Sequence, residues 1–561
     1  MTSLSYSKRF DQPGAIRVLQ VRPGRTRAKI ECNLCDHNIN DSGDEGYIAL
    51  SHAWGDEAPS EMILVNGSKV QVTKSLESAL RHLRGKNKRV RLWIDALCVN
   101  QRDTTERSHQ VAQMREIFHY AEKVVVWLGD GDQDTDFAMD YLRQAPTRDY
   151  GHDKRVWSLM SRSWWSRIWV VQEVAASRLE PIIRCGTREI SWSCLRILKT
   201  NVPVSGWIVF MLGFAKKLEP GNDFGALSRL LAYTDMFLSI VDELRDGHVL
   251  EWKEAFGFTF TMEATDERDL VYAILGLLAK PSSPQNTIIP DYTKAPTTVL
   301  CEATALNIVE RQNLDALTFS ATDLDSDDLP SWMPNARQGE EGIFLNVATH
   351  FYNAAGSTHP FIRWSCDFRV LHALGVIVDT VAEVVVEKKG TMSRSKQLAY
   401  KTGKRNGLDI RETRDRFWRT SIGNQARSYR NTIVLYPAPE DYGTRYMVSQ
   451  KEMEMPSELV GDGEAFEWEL EYIKPFYASL FDESGHSRFF TTVAGRFGTG
   501  QAGVAPGDLL CILSGGRVVH ILREIAGHQR LVGCAYLHGV MDGELSSQLN
   551  DEKVVRHFEI H

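Results

Sequence analysis

Three short apolar runs, each stopped by small or polar residues and separated by helical patterns, constrain this 561-residue chain more than any other feature. They are GYIALSHAWG (46–55), VRLWIDAL (90–97) and VVVWL (124–128), the last followed by Gly129. Between the first two, Thr73 can cap a helix whose Leu76, Leu80 and Leu83 share a face. Between the second and third, Asp103 to Glu106 resembles a capping box, and Val111, Met114, Phe118 and Ala121 carry the apolar stripe. Strand, helix, strand, helix, strand is the rhythm of an α/β domain built on a parallel sheet flanked by helices. In such a sheet the carboxyl ends of the strands meet on one edge, where ligands bind. Ser51, His52 and Gly55 end the first strand; Asp95 and Asn100 end the second.

The flanks extend this reading. Residues 15–21 and 27–35 alternate as strands around the turn at 23–25, and MILVNG with SKVQV reads as a hairpin. A helix is expected through WWSRIWVVQEV (164–174), then a hairpin at PIIRCGTREISW (181–192). Residues 195–310 carry helical spacing, and acidic TDLDSDD (322–328) with Pro330 marks a linker. From about 345 the patterns shorten to strand length. The expected division is a 1–195 α/β domain with N-terminal strands, a 196–330 helical region and a 331–561 β-rich domain with a barrel-like end. Within the last, 388–430 holds 13 Lys or Arg against 3 Asp or Glu and is read as a solvated basic insertion, with 440–471 as its acidic counterpart.

Composition narrows the partners. A net charge of -8 gives no general attraction for nucleic acid or an anionic membrane. Nine cysteines, an odd number spread along the chain, suit a reducing compartment better than a disulfide framework. The apolar stretch 202–215 is too short to span a bilayer and contains Pro203 and Gly206, so it is read as a buried helix. The N-terminus has no apolar signal segment. Cys32, Cys35 and His37 have metal-like spacing at one end, but no second pair completes four ligands, so no metal is expected. GRFGTGQAG (495–503) lacks the Lys-Ser/Thr ending of a phosphate loop and reads as a hairpin.

Several segments, taken in order, resemble the heterokaryon-incompatibility (HET) domain of filamentous fungi. They are YIALSHAWG, LWIDALCVNQ with Glu106 and Arg107, AEKVVVWLG, and WWSRIWVVQEV followed by Cys185-Gly186 and ISW. Segments outside that domain also resemble full-length members: FDQPGAIRVLQVRPG, DERDLVYAILGLL, PDYTKA, FWRTSIGN, RFFTTVAGRFGTG, GDLLCIL and VGCAYLHGVMDGE. The resemblance implies a cytoplasmic protein that triggers cell death after non-self fusion. HET domains are in turn similar to Toll/interleukin-receptor (TIR) domains, some of which hydrolyse NAD at the nicotinamide–ribose bond with one glutamate. That glutamate follows a tryptophan by four residues on a helix, the spacing of Trp169 and Glu173 here. The resemblance to TIR domains also implies sites completed by self-association, hence a homo-oligomer. Arg167 and Val170 depart from the Ser and Cys common in TIR domains.

On this reading Glu173 is the catalytic carboxylate. Cleaving an N-glycosidic bond builds positive charge on the ribose, and an anion beside it stabilises the transition state. Nicotinamide leaves neutral, so one carboxylate suffices, and NAD is substrate rather than cofactor. Trp54 or Trp169 would stack on a ring of the dinucleotide, with Ser51, His52, Gly55, Asp95 and Asn100 lining the site. Each residue also has a plainer reading. Glu173 can pair with Arg167 or Arg178, and Asp95 can cap the turn after it. His52 can be a satisfied strand-end histidine, and Gly55 can serve a turn of positive φ. Two further functions stay open: a non-catalytic recognition module that signals by binding a protein partner and assembling, and a HET-like fold recruited to small-molecule metabolism.

Overall fold

In a computed structural model of the chain, the residues described are 4, 6, 12–25, 28–40, 45–54, 58–144, 154–198, 234, 236–259, 262–320, 329–333, 351–386, 393–427, 434–449 and 487–561. The apolar stretch 202–215, the acidic segment 322–328, Gly55 and most of 440–471 lie outside them. The chain divides into two compact units, residues 1–204 with 217–299, and residues 205–216 with 300–561.

Among the described residues the first unit holds nine strands: β1 (Ala15–Val21), β2 (Glu31–Asn38), β3 (Ile48–His52), β4 (Glu61–Val65), β5 (Ser68–Val72), β6 (Val90–Trp93), β7 (Lys123–Trp127), β8 (Ile182–Cys185) and β9 (Arg188–Ser191). They form one sheet in the order β5-β4-β2-β1-β6-β3-β7-β8-β9. Strands β6, β3 and β7 are parallel, as the rhythm predicted, and β8 adds a fourth in the same sense. The whole sheet is mixed, which corrects the expectation of a parallel sheet, because β1 runs antiparallel to both β6 and β2. A short turn can join only antiparallel neighbours, so the hairpins β4–β5 and β8–β9 also impose that sense at the two ends. The first turns at Asn66 and Gly67, both at positive φ, the geometry a tight hairpin requires.

Helix α1 (Lys74–Leu83) starts where Thr73 accepts the backbone N–H of Leu76, and it buries Leu76, Ala79 and Leu80. The single turn α2 (Asp95–Cys98) follows β6. The expected second helix is two, α3 (Thr104–Ala112) and α4 (Met114–Tyr120), parted at Gln113, whose amide bonds to the backbone of Gly14 and Ala15. Asp103 caps α3 as the sequence suggests, but Glu106 turns away from the cap to Arg17. Helices α5 (Gln133–Arg143) and α6 (Lys154–Met160) precede α7 (Trp169–Ala175), which is shorter than the helix read from the sequence, since 161–168 forms turns. Further helical residues lie at 236–245, Trp252–Thr259 and Asp269–Tyr272. Among the described residues no helix is long and apolar enough to cross a membrane.

The second unit contains β10 (Ile362–Trp364), β11 (Leu371–Val385), β12 (Ala426–Arg427), β13 (Val434–Leu435), β14 (Ser487–Thr492), β15 (Phe497–Gln501), β16 (Leu509–Leu513), β17 (Val519–Ile525), β18 (His528–Leu537) and β19 (Arg556–Ile560). The 15-residue β11 pairs with β14 along one stretch and with β16 along another, so β11-β14-β15-β18-β17-β16 closes on itself as a barrel. Closure leaves no open edge among those six strands. Gly498, inside the glycine-rich stretch, leaves room for the Phe490 ring. The basic segment lies between β11 and β14, yet it is not simply solvated. Its helices Ser393–Arg405 and Ile410–Ser421 bury Leu398, Phe417 and Trp418 against Phe489 and Phe497 of the barrel strands. The lysines and arginines occupy the other helix faces, which is why charge count alone suggested solvent.

Candidate functional site

At the carboxyl ends of the parallel strands, β3 delivers Ser51 and His52, β6 leads into Asp95, and α7 brings Glu173 alongside. Glu173 is 4% exposed. The Ser51 hydroxyl donates to its Oε2, and the Trp164 indole N–H in turn donates to Ser51 Oγ at 2.8 Å. Burial pushes the Glu173 carboxyl up to about 7; the charge of Arg167 opposes that, Asp95 adds to it, and the Ser51 hydrogen bond opposes it. A carboxyl with that proton affinity exchanges a proton near neutral pH.

His52 is buried too, and its pKa is lowered to about 4 by desolvation, with Asp95 raising it and Arg167 lowering it. It is therefore neutral at pH 7, with Nδ1 3.9 Å from Asp95 Oδ1. Trp54, 39% exposed, donates its indole N–H to both Asp95 oxygens at 3.2 and 3.0 Å. Asp95 also accepts the N–H of Ala96 at 2.8 Å, so its turn-stabilising and site-lining readings both have a contact. Arg167, which the sequence offers as an ion-pair partner for Glu173, donates instead to the carbonyl of His52.

The structure thus brings Ser51, His52, Trp54, Asp95 and Glu173 together. Asn100 belongs to a different network: its N–H donates to Glu106 Oε1 at 2.8 Å and its side chain accepts from Arg102 N at 3.3 Å. Trp169 packs on the sheet core and lies near enough to the buried Asp269 carboxyl to lower its pKa. Gly55 is outside the described residues. Trp164 had no role in the sequence reading, although it lies in the same WWSRIW segment; its contact with Ser51 spans 113 positions, which no local pattern reveals.

Segments of the helical region hold the site in place. Ile168 N donates to Glu263 O at 3.0 Å, and Ser166 Oγ donates to Glu263 Oε2 at 2.6 Å, fixing the turn that carries Arg167. The Arg245 guanidinium caps α7, donating to the carbonyls of Val174 and Ser177 at 3.1 and 2.9 Å, the favourable place for a cation on a helix dipole. A second cluster ties DERDL and PDY to α3. Arg107 reaches Asp266 at 3.3 Å and Asp269 at 3.6 Å and lies over the Tyr292 ring at 3.5 Å, while Tyr292 donates its hydroxyl to Asp269. Burial raises the pKa of Asp269, and the bond from Tyr292, with Trp169 nearby, offsets part of the rise.

Cys32, Cys35 and His37 do not assemble a metal centre. All three lie on β2, where the odd step from 32 to 35 sends the two cysteines to opposite faces, and His37 contacts Tyr47 and Arg91.

Two family models match the chain. The one described as Heterokaryon incompatibility protein (HET) matches residues 47–173, and the one described as Het-6 beta-barrel domain matches residues 420–555. A curated relative, Heterokaryon incompatibility protein 6, OR allele, of Neurospora crassa, is 24% identical, with 96% of this chain and 95% of the relative aligned. No solved structure matches. The first matched interval runs from the start of the β3 segment to Glu173, and it contains every residue of the cluster around that carboxylate.

Proposed function

We infer that this chain, a fungal HET-domain protein with a Het-6 barrel, acts in non-self recognition and programmed cell death by hydrolysing NAD at the nicotinamide–ribose bond. The single observation that supports the enzymatic step best is the carboxyl of Glu173, buried at the strand ends with its proton affinity raised to about 7. Ionised, it would give a developing oxocarbenium ion the negative neighbour it needs. Ser51 holds the carboxylate, neutral His52 adds no competing positive charge, and Trp54 offers an indole face at the rim. The leaving nicotinamide takes the bonding electrons and departs neutral, while water adds to the ribose and its proton passes to solvent. The protein works as a homo-oligomer in a cytoplasmic setting, consistent with nine free cysteines.

The test is nicotinamide release from NAD by the purified full-length chain across a concentration series. Glu173→Gln should lower turnover by about 100-fold or more. Turnover should rise with pH through about 7, because the ionised carboxylate is the working form. It should also rise more than linearly with protein concentration. Equal release by the variant would remove Glu173 from the mechanism.

One observation favours a second reading. Glu173 is almost fully enclosed and already hydrogen-bonded, the condition of a carboxylate that orders a recognition surface. In that reading the module signals by binding a protein partner and assembling. A chain that kills cells while their NAD stays constant would establish it over the enzymatic one.

A further inference from the structure

We propose that His372, His557 and Glu559 bind a divalent transition-metal ion, zinc being the natural occupant, and that the ion clips the terminal strand β19 to β11. In β19, alternation puts His557 and Glu559 on one outward face while their neighbours Phe558 and Ile560 are buried. The antiparallel register sets Glu559 opposite His372 and His557 opposite Leu374. Three ligand atoms, one from each side chain, lie within 4.8 Å of one another. His372 Nδ1 is 3.8 Å from Glu559 Oε1, and the His372 and His557 rings stack with centroids 5.2 Å apart.

Those spacings suit zinc. With metal–ligand bonds of about 2.0–2.2 Å, a tetrahedral site separates its donors by roughly 3.3–3.6 Å. Small side-chain rotations close the remaining gap, and partly exposed side chains make them at low cost. Two imidazoles and one carboxylate form a borderline N/O set, which selects zinc or its late first-row neighbours over calcium or magnesium. A source of further donors is adjacent. His561 N donates to Gln529 O at 2.8 Å, and the His528 and His561 rings lie 4.2 Å apart. The site would therefore join β11 and β19, beside the parallel pairing of β19 with β18.

The experiment uses the tag-free full-length chain titrated with zinc alone by calorimetry, and with cobalt followed by its visible absorption. One zinc should bind with a Kd of about 10 µM or tighter, and cobalt should show the intense ligand-field bands of a four-coordinate site. His557→Ala and Glu559→Gln, each on an outward face and each checked for an unchanged metal-free melt, should weaken binding about 10-fold or more. Zinc should also slow amide exchange in 556–560. Undiminished binding in the two variants, or a wild-type Kd weaker than about 100 µM, would overturn the proposal.

Discussion

Two glutamates in the first unit are equally buried and differently treated. Glu106 is 1% exposed and Glu173 is 4% exposed. Glu106 receives Arg17 Nη1 and Nη2 at 2.5 and 3.0 Å and the N–H of Asn100 at 2.8 Å, so its charge is met by a guanidinium fork and a backbone donor. Glu173 has the hydroxyl of Ser51, while Arg167 spends its own donor on the His52 carbonyl and acts on the carboxylate only through space. Burial alone therefore does not decide how a carboxyl is held. What differs is the supply of donors: a full set holds the β1–α3 junction together, and a sparse one leaves a group whose protonation responds to pH near neutrality.

The largest test of this contrast is Glu106→Ala, which strands the buried Arg17. It should cost about 3–5 kcal/mol in denaturant unfolding. A loss below about 1 kcal/mol would show that the pair is not structural and would dissolve the comparison.

Glu173→Gln should act with the opposite sign. Because the folded-state pKa is raised from 4.5 to about 7, the native protein holds a proton that the unfolded chain releases. The wild type therefore loses stability as pH rises through that window, by roughly 3 kcal/mol in total. Glutamine does not titrate, so the variant should gain on the wild type from pH 4.5 to 8. His52, lowered from 6.5 to about 4, gives both proteins stability that grows between pH 4 and 6.5, and it cancels in the difference. A gap that stays flat with pH would mean that Glu173 is ionised in the folded state throughout.

Ser51→Ala removes the hydroxyl donor and should cost about 1–3 kcal/mol. It should also move the midpoint of that pH-dependent gap upward, since the bond favours the charged carboxylate. The smallest effect is expected from Trp54→Phe, which deletes an exposed indole hydrogen bond to Asp95. Its melting curve should change by less than about 1 kcal/mol. NAD turnover in the same variant separates a rim that binds substrate from a rim that only covers it.

Much of the first unit was legible because its signals are local. Thr73 and the spacing of Leu76 and Leu80 specify α1, and the runs at β3, β6 and β7 end in residues that cannot continue a buried strand. Glu173 stood out only through the resemblance to TIR domains, whose glutamate follows a tryptophan by four residues as Glu173 follows Trp169. The sense of β1 against β6 was hidden because neighbours in a sheet need not be neighbours in sequence. The sequence expects Asn100 and Trp169 to line one crevice, yet Asn100 bonds to Glu106 and Trp169 packs on the sheet core.

By itself the sequence determined which segments become strands and helices and which polar residues stand where strands end, because periodicity, caps and turn residues act over a few positions. Tertiary structure alone decided which carboxylate is neutralised and which is left poised, since Arg17 and Glu106 are 89 positions apart and Ser51 and Glu173 are 122. It likewise decided that His372 meets His557 and Glu559. Proton affinity and metal affinity depend on distance through space, and chain separation carries no record of it.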